Sequence, residues 1–370
     1  MSRVFFHVQH LLGIGHIRRA AVLARTLAAS GFDVLLVSGG APLRLDLGQA
    51  RFHQLPPVRA RDEGLRALSR LDGSPLDDAF RIERTRQLLE LFRAEAPDVL
   101  ITEQFPFGRT QLRFELLPLL EMAQARRPKP LIVSSVRDIV RRSMSLQRVQ
   151  QAVDLCRRFD LILIHGDPTL IGFDRSFAGW EAIRTRAAYT GYIAENIGET
   201  SEDGMDEVLV SVGGGAVGAP LLQAASGARA RGPLADRTWR LLVGANLGQT
   251  VDATEGMIVE PARADFRALL RNATLSISQA GYNTVVDTLC SADRAVLVPF
   301  GTDRETEQTD RALWLAERGL VAFVSAPELS AETLSAAIDR AIRGPSIRSF
   351  PPCDVNGAAA TAALLHRRLS

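Results

Sequence analysis

The sequence predicts an α/β protein with two open, mostly parallel sheets. Short apolar runs alternate with helical patterns along the whole chain, the order that builds parallel sheets. The runs are apolar on both faces, as strands covered by helices on either side are. The chain has 370 residues, more than one ordinary core holds and enough for two domains of about 150–200.

The first half offers five strands: VFFHV (4–8), DVLLVS (33–38), DVLITE (98–103), LIVSSV (131–136) and LILIHG (161–166). The second half offers EVLVSV (207–212), RLLVGA (240–245), MIVE (257–260), LSISQ (275–279), AVLVPF (295–300) and VAFVS (321–325). Between them YTGYIAENIGETSEDGMDE (189–207) is polar and contains three glycines. This places a first domain at 1–190, a linker at 191–205 and a second domain at 206–355. A last helix at 356–370 follows a Pro-Pro break.

Forty-four Lys and Arg face forty-two Asp and Glu, for a net charge of +2. No global basic field points to nucleic acid. Cys156, Cys290 and Cys353 are scattered and match no metal-binding spacing, which suits a reducing, cytoplasmic setting. RVFFHV is too short for a signal-peptide core and runs into a polar loop. No stretch approaches 18 apolar residues, so no membrane span is expected; peripheral membrane contact stays open. No cofactor and no metal site are expected.

QHLLGIGHIRRA (9–20) is the first motif with chemical content. Ile17, Ala20, Ala21, Ala24, Leu27 and Ala28 form a helical stripe, and Gly31 stops it. Gly13 and Gly15 therefore fall on a strand-to-helix turn at the carboxyl edge of a sheet, where open α/β proteins bind ligands. A dinucleotide fingerprint is excluded: Arg18 stands where its third glycine belongs, and Ser38-Gly39-Gly40 where its acidic residue belongs. His16 sits at the helix start, whose dipole should keep it neutral. That suits a general base.

SVGGGAVGAP (211–220) follows the first strand of the second half. Gly213, Gly214 and Gly215 would let backbone N–H groups approach an anion, or form a flexible turn. In SISQAGYNTVVDTLC (276–290) Gly281 turns the chain and a helix begins near Asn283 or Thr284. Those residues suit the cap, with N–H groups facing a phosphate. Asp287 lies a turn beyond Asn283, placed for ribose hydroxyls or simply favoured by the dipole. After PFGTDRET, Glu307 and Gln308 open another helix. Gln308 can donate to and accept from sugar hydroxyls, or serve a solvated helix start.

The order of these motifs resembles the GT-B nucleotide-sugar glycosyltransferases of family 28, which include the peptidoglycan N-acetylglucosaminyltransferases. The resemblance covers the first 40 or so residues and most of the second half. It implies two Rossmann-like domains facing each other across a cleft, the first for acceptor and the second for a UDP-sugar such as UDP-N-acetylglucosamine, with the last helix, 356–370, packing back on the first. Gly13, Gly15 and His16 match the family's GxGH opening. Gly213, Gly214 and Gly215 match its glycine loop at the donor diphosphate. Gly281 and Thr284 match its phosphate-binding G-x-x-T, with Asn283 as in the wider GT-B group. Asp287 matches the ribose-binding acid, usually Glu. Glu307 and Gln308 match the sugar-contacting pair, whose first member is usually Gln. The uracil pocket should lie in 258–266.

Residues 41–190 match no acceptor motif of that family. They carry ITEQFPFGRTQLRFE (101–115) and LIVSSVRDIV (131–140). Glu103 ends a strand and is a second candidate base. Arg109 and Arg137, with Arg18, are candidates to hold an anionic acceptor; surface loop charges would look the same. His165 ends another strand and is expected to be satisfied by loop backbone. The absence of a DxD motif points to metal-independent, inverting transfer, with helix N-termini neutralising the diphosphate. The GxGHxxR opening also resembles the UDP-sugar hydrolase of pseudaminic acid synthesis, which uses water as acceptor. A UDP-sugar 2-epimerase and a non-enzymatic sugar-nucleotide sensor are further alternatives.

Overall fold

The computed structural model describes residues 1–11, 13–61, 67–140, 144–194, 200–212, 218–244, 253–300 and 306–370. The chain forms two compact units. One comprises Met1–Ala194 with Asp354–Ser370, the other Glu195–Cys353.

The first unit has strands β1 (Arg3–Val8), β2 (Asp33–Ser38), β3 (Arg51–Gln54), β4 (Val58–Ala60), β5 (Leu68–Arg70), β6 (Val99–Glu103), β7 (Leu131–Arg137), β8 (Leu161–His165) and β9 (Ala187–Tyr189). Its helices are α1 (Gly15–Ala29), α2 (Asp78–Glu95), α3 (Arg113–Ala125), α4 (Leu146–Cys156) and α5 (Trp180–Ile183). Seven strands make one parallel sheet in the order β3-β2-β1-β6-β7-β8-β9, while β4 and β5 pair antiparallel apart from it.

The five strands expected in this half are all present. β3, β9 and the β4–β5 pair are additional. RFHQ in β3 is polar and half-exposed, and β9 is three residues long, so neither carries an apolar run. Strand alternation divides the core. Phe5, Leu100, Ile132 and Ile162 pack on the face that includes Leu88, Phe92 and Leu116. Phe6, Leu36, Ile101 and Val133 pack with Ile17, Leu23 and Leu27 of α1.

The second unit has strands β10 (Val208–Ser211), β11 (Trp239–Val243), β12 (Met257–Pro261), β13 (Leu275–Ser278), β14 (Ala295–Leu297) and β15 (Ala322–Phe323). All pair parallel, in the order β12-β11-β10-β13-β14-β15. Each expected strand is there. The helices are α6 (Ala219–Arg229), α7 (Phe266–Asn272), α8 (Tyr282–Ser291), α9 (Glu307–Glu317) and α10 (Ala331–Arg343).

The chain then rejoins the first unit through α11 (Gly357–Leu369). Ala358, Ala362 and Leu365 enter the core cluster of α1. The His366 ring stacks on Phe32 at 4.3 Å between centroids, and its Nε2–H donates to the Ser30 carbonyl at 2.9 Å.

Both sheets are wound alike. In each, the first strand lies beside a later one, and connections leave the two in opposite directions. The crevice this opens at the carboxyl ends is the usual ligand site of such sheets. It falls between β1 and β6 in one unit and between β10 and β13 in the other. Among the described residues no helix is long and apolar enough to cross a membrane.

Candidate functional site

In the first unit the crevice lies between the ends of β1 and β6. α1 begins at Gly15, two residues earlier than the apolar stripe suggests, because a first helical turn needs no buried residue. Gly15 and His16 thus belong to the helix rather than the preceding loop. Ile14 occupies the N-cap and makes no side-chain hydrogen bond. Gly13 is exposed, and a Cβ there would meet nothing within 4 Å.

Glu103 is the last residue of β6, the strand next to β1, and this adjacency joins it to His16. Nδ1 of His16 lies 2.7 Å from Glu103 Oε1. Arg19, one turn further along α1, donates to the same oxygen at 2.5 Å. The Glu103 side chain is fully enclosed, whereas that of His16 is 18% exposed. Glu103 Oε2 has no hydrogen-bond partner among the described residues.

Burial alone would raise the Glu103 carboxyl, but His16, Arg19 and Arg109 outweigh it and hold it below the usual carboxylate range. His16 is pushed well below its ordinary value, first by burial and then by the charge of Arg137; Arg109 adds to this, while Glu103 opposes it. The neutral imidazole expected from the sequence has a different main cause: enclosure among arginines, not the helix dipole. Glu103, expected as the alternative base, is fully enclosed and has one carboxylate oxygen engaged by His16 and Arg19. It is placed instead to orient His16.

The expected arginines divide. Arg109 is buried, at 9% exposure, which removes the reading of it as a surface charge. Its loop is tightly wound: Gln104 and Arg109 both adopt positive φ, 65° and 59°, uncommon for residues with a Cβ. Arg137 ends β7 and is half-buried. Arg18 is exposed on α1, and the arginine that reaches Glu103 is Arg19. His165 is satisfied by hydroxyls rather than loop backbone. Its Nε2 lies 2.8 Å from Ser135 Oγ and its Nδ1 2.8 Å from Thr190 Oγ1.

A buried network beneath this site explains Ser38-Gly39-Gly40. Arg84 of α2 makes two bonds to Glu115, at 2.6 and 3.0 Å, and donates to Gln9 Oε1 at 2.9 Å and the Gly39 carbonyl at 3.1 Å. A Cβ on Gly39 would collide with Arg84 and Gln9, and one on Gly40 with His10. No acidic residue could stand there. Gln9 in turn donates to the His10 and Val58 carbonyls, which fixes the start of the loop leading to His16.

In the second unit β13 runs through Gln279 and Ala280 to Gly281. Gly281 itself is the N-cap, extended at φ −62° and ψ 147°, and α8 starts at Tyr282. Asn283 and Thr284 lie inside the first turn rather than capping it, because Tyr282 is buried at 2% exposure and begins the packed face one residue early. The N-cap residue, a glycine, brings no side-chain hydrogen bond of its own. A Cβ on Gly281 would meet nothing within 4 Å, so neither backbone strain nor internal packing accounts for the glycine.

Asp287 is ion-paired through Oδ1 with Arg267 of α7 at 2.5 Å. Glu307 and Gln308 are half-buried and engaged, not solvated. Arg311, 1% exposed, binds Glu307 at 2.8 Å and the Ala280 carbonyl at 2.9 Å. That one side chain ties α9 to the Gly281 turn. Gln308 Oε1 accepts the Phe300 N–H at 3.2 Å. The segment expected to hold uracil, 258–266, spans β12 and the start of α7. Gly213, Gly214 and Gly215 lie outside the described residues. Among the described residues no cluster of three or more His, Cys, Asp or Glu could hold a metal ion.

Sequence reasoning missed Arg19, Arg267 and Arg311. Arg19 and Arg311 had a signal in helical spacing, three residues after His16 and four after Glu307. Arg267 had none, since its partner is on another helix.

Residues 209–349 match the glycosyltransferase family 28 C-terminal domain. Over 79 residues the chain is 39% identical to the UDP-N-acetylglucosamine–N-acetylmuramyl-(pentapeptide) pyrophosphoryl-undecaprenol N-acetylglucosamine transferase of Thiobacillus denitrificans. That match spans 20% of this chain and 22% of the relative's length. The structure is similar over 100% of the chain to 98% of the calicheamicin glycosyltransferase, with TM-score 0.65 and 16% identity. It is similar over 99% of the chain to all of Acinetobacter baumannii MurG, with TM-score 0.61 and 14% identity. A spinosyn rhamnosyltransferase complexed with thymidine diphosphate matches over the full length of both chains, with TM-score 0.62 and 17% identity. The fold is therefore GT-B, with two Rossmann-like units. Within it, residues 209–349 of the second unit match the family 28 C-terminal domain.

Proposed function

We propose that the protein is a metal-independent glycosyltransferase that moves a hexose or N-acetylhexosamine from a UDP-sugar to an acceptor hydroxyl, with inversion. The observation that carries this reading is the opening of α8: a helix N-terminus entered through an unobstructed glycine, at the crevice of the sheet inside the segment that matches the family 28 domain. Such an end presents backbone N–H groups and about half a positive charge to an anion. Gly281, Asn283 and Thr284 would meet the donor diphosphate, joined by Gly213, Gly214 and Gly215; in the first unit Gly13 and Gly15 would offer the α1 opening to an anionic part of the donor. Converging N–H donors can stabilise departing UDP without a metal. Asp287 would accept from the ribose hydroxyls, with Arg267 fixing its orientation. Glu307 and Gln308 would contact the sugar.

The first unit supplies the base. With Nδ1–H directed at Glu103, the other ring nitrogen of His16 has its lone pair available for the acceptor proton. Glu103 then stabilises the imidazolium that forms. Arg109 and Arg137 suit an anionic group on the acceptor; exposed Arg18 would act only at the rim. In this reading residues 1–190 serve the acceptor, 206–355 the donor, 191–205 links them, and the protein works in the cytoplasm with no cofactor.

The test is a thermal-shift panel of UDP-, GDP- and dTDP-sugars in EDTA, followed by UDP release with and without candidate acceptors. A ligand at 100 times its Kd adds about 2.7 kcal/mol. UDP-sugars should shift unfolding despite the chelator, and UDP release should be slow until an acceptor is added. A shift restricted to another nucleotide would replace UDP in this reading. Rapid UDP release to water alone would overturn transfer.

A further inference from the structure

The second unit holds a pair of thiols that the donor and acceptor chemistry does not use. Cys290 Sγ lies 3.9 Å from Cys353 Sγ, although the residues are 63 positions apart. Both are half-buried, whereas the third cysteine, Cys156, is buried and its thiol pushed up to about 12 by enclosure.

The pairing is held from both sides. Cys290 lies near the end of α8, three residues after Asp287 and therefore on a neighbouring stretch of helix surface. The segment before Cys353 is fastened to that helix end. Arg348 donates to the Ser291 carbonyl at 3.1 Å and the Arg271 carbonyl at 2.9 Å, and the Ile347 N–H to the Asp293 carbonyl at 2.7 Å. Pro351 and Pro352 then restrict the backbone leading to Cys353. Much of the entropy of bringing two distant cysteines together is thus already lost in the fold. The hydrogen bond from Cys353 draws the Cys290 thiol below its ordinary value against burial; Arg267 helps and Asp287 opposes. A thiolate is the attacking species in disulfide exchange.

We propose that Cys290 and Cys353 are a reversible dithiol–disulfide pair, oxidised by a small disulfide such as oxidised glutathione, which constrains the helix carrying Asp287. The Cys290 thiolate attacks one glutathione sulfur, breaks the glutathione S–S bond and releases one glutathione thiol. The Cys353 thiolate then attacks Cys290 Sγ in the mixed disulfide and expels the second glutathione. The protein gives up two electrons and two protons, and oxidised glutathione becomes two thiols. The sulfurs must close to about 2.05 Å, which draws α8 toward residue 353. The consequence for Asp287 rests on the donor reading above.

The full-length protein is equilibrated across ratios of oxidised to reduced glutathione, then alkylated and mapped by mass spectrometry, and each end state is titrated with UDP. Two of the three thiols should be lost as an internal disulfide, with Cys156 still reduced, and dithiothreitol should reverse it. Cys353→Ser should instead accumulate glutathione on Cys290. UDP affinity should differ at least about fivefold between the two wild-type forms, the low end of ordinary coupling between sites. Three free thiols at every ratio, or glutathione adducts without the internal bond, overturn the pair. A disulfide that forms while UDP affinity stays constant overturns the link to Asp287. If UDP binds neither form, the link falls with the donor reading, while the disulfide is still decided by mass.

Discussion

Nδ1 of His16 and Oε1 of Glu103 meet at 2.7 Å although 87 positions separate them in sequence, because α1 follows β1 and Glu103 ends β6, the strand beside β1. The pair gives the imidazole a fixed tautomer and orientation. His16→Ala should therefore lower UDP release in the presence of acceptor by at least about tenfold, at the modest end of general-base effects, while UDP affinity stays near wild type. Glu103→Gln keeps the shape but removes the charge that stabilises imidazolium. It should cost about 10²-fold or more in kcat. Wild-type turnover in His16→Ala would place the base elsewhere.

The pH profile provides a second check. His16 is lowered from 6.5 to about 3 by burial and Arg137. The acid limb of kcat/KM should therefore lie well below pH 6.5. The same shift has a stability consequence. The fold favours neutral His16, so its contribution is complete above about pH 6.5 and is lost as pH falls toward 3. Urea unfolding of His16→Gln should lose less stability than wild type across that window. An equal loss would mean that His16 is not held neutral.

Asp287 and Arg267 form the donor-side counterpart. Asp287→Ala should weaken UDP binding by ~1.5–3 kcal/mol, the scale of hydrogen bonds to a charged group. Arg267→Ala should weaken it less. The double variant should fall short of the sum of the two, since residues in contact are not additive. Calorimetry measures all three. Additive losses would separate Arg267 from the nucleotide.

Leu365 tests the packing of α11. It is fully buried in the cluster that contains Leu23 and Leu27. Leu365→Ala should destabilise the first unit by ~2–5 kcal/mol. The unfolding transition of that unit, followed by hydrogen exchange in α1, should move while exchange in α8 does not.

The sheets were legible because buried parallel strands such as LILIH and DVLLVS carry an unbroken apolar signal. Edge strands escaped because RFHQ is half-solvated. Both crevices were legible at their glycines, since Gly15 and Gly281 mark strand-to-helix turns. What surrounds them was not. Arg267 meets Asp287 only after two helices pack, and the enclosure of Arg109 depends on a left-handed loop that its sequence does not announce. His16 was read as neutral for the wrong main reason, because burial and the charge of Arg137 are tertiary properties.

The contact between α11 and α1 also orders events during synthesis. His366 meets Ser30, 336 positions earlier in the sequence. On the ribosome α1 emerges long before α11, with the whole second unit made in between. Phe32, which stacks on His366 in the finished fold, lacks that partner until α11 is made. The cluster that α1 shares with Ala358, Ala362 and Leu365 is therefore completed only by the last residues of the chain to be synthesised.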